Sequence, residues 1–150
     1  MRFDINWSFF LEVTTRQKCE KLLDQVTQLL GFRFSNLKIE PYWKEQETFK
    51  VSAQSSFDAP SAKDGLYELV MLLNRMASTW VVKGPKVDDS WTFSGMAQPG
   101  TTIRVPGIKS VAFDASSPAP QAPAFVKFGT AVNVPEGGTT KENQLNSPTL

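Results

Sequence analysis

The order of apolar and polar residues predicts an α+β domain. Its plan is ferredoxin-like, β-α-β-β-α-β, with two helices on one face of the sheet and one or two extra C-terminal antiparallel strands. Three observations predict it. The first stretch alternates with a period of two, two later stretches carry apolar stripes at helical spacing, and short alternating runs bounded by turn residues fill the rest.

Phe3, Ile5, Trp7, Phe9, Leu11 and Val13 occupy successive odd positions, between Arg2, Asp4, Asn6, Ser8 and Glu12. One apolar face on a period of two is a strand half-buried against helices. Phe10 is the exception on the polar side. Thr14 and Gln17 have the spacing of a capping box, which places Thr14 at the helix N-cap. Cys19, Leu22, Leu23, Val26, Leu29 and Leu30 follow as a helical stripe, and Gly31 suits the left-handed residue that ends it.

A hairpin comes next. Leu37, Ile39 and Trp43 lie on one side of its first strand, and Pro41 assigns that strand to an edge or a bulge. Lys44 to Glu47 form the polar tip. Phe49, Val51, Ala53 and Phe57 alternate down the return strand. Ser61, with Asp64 three residues on, caps a second helix whose buried stripe is Leu66, Leu69, Val70, Leu73, Met76 and Ala77. Trp80-Val81-Val82 reads as a fourth strand. Trp91-Thr92-Phe93 reads as a fifth, after a turn at Gly84-Pro85. Ile103 to Val105 and Lys109 to Phe113 supply one or two further pieces, interrupted by Pro106-Gly107.

Composition divides the chain near Asp114. Residues 1–114 hold 14 Lys/Arg and 13 Asp/Glu, a normal globular mixture. Residues 115–150 hold half of the 10 prolines among Ser, Gly and Thr, and read as an extended, mostly disordered tail. Phe125, Val126, Lys127 and Phe128 are its one apolar island. Over all 150 residues the apolar share is 41% and the net charge +1, enough to build a core and without the basic excess of a dedicated nucleic-acid or membrane-surface binder. The N-terminal residues break any apolar run with Asp4 and Asn6, so no secretory signal is expected, and one cysteine without a disulfide partner points to the cytoplasm.

Catalytic templates fail. There is no histidine, which removes Ser-His-Asp triads, Cys-His dyads and histidine metal sites together. No phosphate loop, dinucleotide fingerprint, or zinc or calcium spacing is present, so neither an enzyme nor a cofactor is expected. Cys19 lies on the helical stripe and reads as a buried structural thiol. The adjacent acids Asp88 and Asp89 are ordinary solvated turn residues by default. An RNA-recognition module shares the strand order, but it needs stacking aromatics on the open sheet face, where only Phe10 qualifies.

A protein partner remains. Tyr42 and Trp43 precede the hairpin tip, and Glu45 and Glu47 lie in it, aromatic and charged groups of the kind that make a binding hot spot. Trp43 has a second reading, as a core residue under the sheet edge. Asp88 and Asp89 gather with Asp58 at the opposite end of the sheet, and the open face is a third surface; the sequence does not choose among them.

The aromatic-rich Phe3-Asp4-Ile5-Asn6-Trp7-Ser8-Phe9-Phe10, the late Trp91-Thr92-Phe93-Ser94-Gly95 and the closing Pro106-Gly107-Ile108-Lys109-Ser110-Val111-Ala112-Phe113 resemble small single-domain immunity proteins of bacterial toxin–immunity systems. The likeness covers about residues 1–114. It implies a cytoplasmic, non-catalytic protein that neutralises a cognate toxin by occlusion. The near-zero net charge departs from the acidity of immunity proteins directed at basic nucleases. The alternative from another class is a self-associating structural or regulatory subunit, a homodimer built through the sheet, motivated by Phe10 and the 125–128 island.

Overall fold

A computed structural model describes residues 1–97 and 103–118. The elements are β1 (Arg2–Leu11), α1 (Arg16–Leu30), β2 (Ser35–Pro41), β3 (Phe49–Asp58), α2 (Ala62–Met76), β4 (Val81–Val87), β5 (Ser90–Ala97) and β6 (Ile108–Pro118). Of the tail expected over residues 115–150, residues 119–150, with the 125–128 island, lie outside the described residues. β6 itself runs four residues past Asp114, so the compositional break falls inside a strand.

The α+β class and the two helices are as expected, but the ferredoxin-like strand order is not. In that plan the strand after the second helix returns to pair with the first. Here the sheet order is β2-β3-β1-β6-β5-β4, every neighbouring pair antiparallel. β6 takes the place beside β1, and β4 is displaced to the far edge. The burial pattern gives the reason. A central strand needs an apolar face, and β6 buries Ile108, Val111, Phe113 and Ala115. All seven residues of β4, Val-Val-Lys-Gly-Pro-Lys-Val, are exposed. Two lysines and a proline suit an edge, because a ladder interior has no use for a residue without an N–H. The turn expected at Gly84-Pro85 is therefore inside an edge strand.

The odd face of β1 is the floor of the core: Phe3, Ile5, Trp7, Phe9 and Leu11 are each no more than 1% exposed. Both helices bury most of their stripes in the same cluster, through Cys19, Leu22, Leu23, Val26 and Leu30 of α1 and Leu69, Leu73 and Met76 of α2, whereas Val70, expected in the buried stripe of α2, is exposed. Aromatic pairs tie the strands to one another. Phe3 stacks on Phe57 and meets Trp91 edge-on, both at 5.1 Å, and Phe113 packs on Phe93 and Trp80 at 5.4 and 5.6 Å. Each such pair adds about 0.5–1.5 kcal/mol beyond its area burial. The indole N–H of Trp7 donates to Ser55 Oγ at 2.8 Å, so the largest core side chain leaves no orphan donor.

Local signals hold with small displacements. The cap of α1 is Thr15 rather than Thr14: its side chain accepts from Lys18 N, and Gly31 closes the helix at φ 84°. Ser61 caps α2 as expected. Pro41 ends β2, an edge strand. Ile103 forms only an isolated bridge to Ala77. Among the described residues no helix is long and apolar enough to cross a membrane.

Candidate protein-binding site

Strands β2 and β3 close on the pair Pro41–Phe49, leaving residues 42–48 as a loop. The loop folds on itself: Tyr42 N donates to the Thr48 carbonyl at 2.8 Å, Glu45 N to the Tyr42 carbonyl at 3.3 Å, and the Thr48 hydroxyl to the Gln46 carbonyl at 3.3 Å. Thr48 is buried, which makes it the internal peg of the loop.

Two contacts fasten this loop to the sheet. The Tyr42 ring meets Phe10 edge-on at 5.0 Å, which accounts for an aromatic residue on the polar side of β1. Glu45 Oε1 accepts from Lys109 Nζ at 2.6 Å, joining the loop to the start of β6. The Lys109 hydrogen bond holds the Glu45 carboxyl below its usual range. Glu45 in turn raises the Lys109 ammonium above its own. Both charges are therefore fixed at neutral pH.

Trp43 stands outside this clamp. It is 84% exposed, so it does not pack under the sheet edge. Tyr42 lies 6.5 Å from its ring and Lys44 Nζ sits 5.0 Å from its centroid. A large apolar plane is thus held out to solvent on a braced loop, with a cation on it and carboxylates nearby. Glu47 is exposed and takes a left-handed backbone, φ 53°.

Of the residues singled out in the sequence, Tyr42, Trp43, Glu45 and Glu47 come together here. Asp88 and Asp89 do not. They form the exposed β4–β5 turn, next to Ser90, which pairs with Pro118. That is the end of the sheet where Arg2 pairs with Asp58, opposite the loop. Sequence reasoning missed Lys109 and Lys44 as members of the site. Phe10 was visible as an anomaly, but its partner was not.

The open face of the sheet offers little to an apolar partner near its centre, because its side chains satisfy one another. Arg2 binds Asp4 at 3.0 Å and Ser56 at 2.9 Å, Gln54 donates to Asn6 at 2.9 Å, and Asn36 donates to Gln54. Cys19 is fully buried, and burial pushes its thiol pKa up, away from nucleophilic reactivity. Among the described residues no group of three or more acidic, cysteine or histidine side chains is placed to hold a metal ion. Comparison with protein-family models, curated proteins and solved structures finds no match to this chain.

Proposed function

We propose that the chain is a non-catalytic protein-binding domain that engages its partner with the Tyr42–Glu47 loop. The observation that carries this reading is Trp43, a large aromatic side chain exposed on a loop already fastened to the sheet. Exposing an indole in the free protein is unfavourable, and a rigid aromatic anchor gives the most binding free energy for the least ordering cost. Carboxylates and lysines around it supply a rim that sets orientation more than affinity.

The immunity reading is the specific form of this proposal: the partner is a bacterial toxin domain, and binding covers its active site. A domain that acts by covering needs a presented surface and no chemistry of its own, and the loop is such a surface. The self-association reading has weaker support. Phe10, its motive within the described residues, packs on Tyr42, and both sheet edges carry proline.

The test is capture of the partner from the native cells by the full-length chain, with Trp43→Ala and Asp88→Asn/Asp89→Asn alongside. Trp43→Ala is expected to weaken the captured complex by about 2 kcal/mol or more, with an unchanged melting temperature. The Asp88/Asp89 variant is expected to bind as wild type. A toxic activity in the captured protein, suppressed on rebinding, supports the immunity form. A complex indifferent to Trp43→Ala overturns the placement of the site.

A further inference from the structure

The two helices are each 15 residues long and pack on the same core, yet their outer sides differ. Every exposed residue of α1, from Arg16 to Gln28, is charged or polar. The outer side of α2 instead carries Tyr67, Val70 and Met71, and at 64% Tyr67 is the most exposed large apolar side chain of either helix. With Asn74 these residues fall at i, i+3, i+4 and i+7. They form one stripe on the side opposite the buried Gly65, Leu69, Leu73 and Met76. A helix that is apolar on both sides is suited to burial on both, and here only one side is covered.

The charges beside the stripe are ordered. Asp64 and Glu68 stand in the first half of α2 and Arg75 in its last turn. All three line the same cleft between α2 and the end of α1, so they share one flank of the stripe. Arg75 donates to the Leu30 carbonyl at 3.1 Å, and its guanidinium has further N–H groups to offer. Among the described residues none of the three is in an ion pair.

We infer that α2 is the interface of a symmetric homodimer, its outer stripe packed antiparallel on the same stripe of a second copy. The occupant follows because the pattern is complementary to itself. About a two-fold axis between residues 70 and 71, Val70 meets Met71 of the second copy. Tyr67 comes level with Asn74, a phenol beside an amide. Antiparallel symmetry also sets like flank against like flank. Arg75 therefore comes level with the interval between Asp64 and Glu68 of the second copy, and the contact occurs twice. In a parallel pair that flank would face Leu66 and Val70, and Arg75 would meet no carboxylate. One helix face is smaller than the roughly 1,600 Å² that stable complexes bury in total, so the dimer is a weak one. It depends neither on the sheet edges nor on the Tyr42–Glu47 loop.

The test follows the full-length chain by sedimentation equilibrium and backbone amide shifts up to about 1 mM. A dissociation constant between about 10 and 500 µM is expected, with concentration-dependent shifts centred on Tyr67 to Asn74. Met71→Glu, at an exposed position, is expected to weaken the dimer about tenfold or more with an unchanged melting temperature. Glu68→Arg sets like charges against Arg75 and is expected to weaken it about threefold or more. A nitroxide on Lys63→Cys, mixed with an isotope-labelled unmodified chain, reads the orientation; Cys19 is fully buried and does not compete for the label. Broadening at Ser78 and Thr79 is expected, and broadening around Lys63 instead would mean a parallel pair and overturn the proposal. A dimer indifferent to Met71→Glu, or lost in Trp43→Ala, also overturns it. A chain that stays monomeric at about 1 mM overturns it as well, and leaves the stripe to a different protein.

Discussion

Gly65 lies in the first turns of α2, where helix propensity alone favours alanine by about 1 kcal/mol. The packing opposes that preference. A Cβ at position 65 would fall on the ring of Phe3, which is fully buried and held between Phe57 and Trp91. A side chain fixed on both sides has no free rotamer to yield into, and overpacking of this kind costs about 1–3 kcal/mol. The second effect wins, so Gly65→Ala is expected to destabilise the protein by about 1 kcal/mol or somewhat more, measured by urea unfolding. A more stable variant would mean that Phe3 moves aside. The glycine is plain in the sequence, but its reason is not, because the ring that approaches it comes from a strand some sixty positions away. Trp43 shows the same limit from the other side. Its alternation with Ile39 was compatible with the core, and only the loop beginning at Tyr42 takes it out of the strand register.

The start of α1 separates what a motif says from what a helix needs. Thr14-Thr15 offers two caps, and the capping-box spacing to Gln17 favours the first. The helix nevertheless starts at Arg16, with Thr15 Oγ1 accepting from Lys18 N at 3.2 Å, while Thr14 Oγ1 meets only the Lys18 ammonium at 3.5 Å. Starting there keeps Cys19, Leu22, Leu23, Val26 and Leu30 on the buried face, and a core stripe outweighs one capping contact. Thr15→Ala is therefore expected to cost about 1 kcal/mol, and Thr14→Ala within about 0.5 kcal/mol of nothing. Equal losses in thermal or urea unfolding would put both threonines in the cap. Elements with a buried face, β1, α1, β3 and α2, were legible because burial imposes a period. β4 was legible only at its start, Val81-Val82: with all its residues exposed it carries no period, and its glycine and proline read as a turn.

At the scale of the whole molecule, periodicity assigns faces and leaves neighbours open. Nothing in the alternation of β6 names β1 as its partner; the pairing follows from which strands have enough apolar surface to be central, a comparison across the chain. The same long-range pairing assembles the candidate site, since Lys109 reaches Glu45 only because β6 lies beside β1. That ion pair makes the joint between loop and sheet depend on pH. The Glu45 carboxyl is held below its usual range, so its contribution is present above the ordinary carboxylate pKa and is lost as pH falls through the lowered value. The Lys109 ammonium is held above its usual range, so its contribution is present below the ordinary lysine pKa and is lost as pH rises through the raised value. Between about pH 5 and 10 both are charged. Over that window the melting temperature of wild type is expected to exceed that of Glu45→Gln by a constant margin that shrinks at both extremes. With the side chains 43% and 31% exposed, the margin also narrows in high salt. A margin that persists at pH 2 would assign the effect of the substitution to the packing of Tyr42 on Phe10, and would remove charge from the account of how the loop is held.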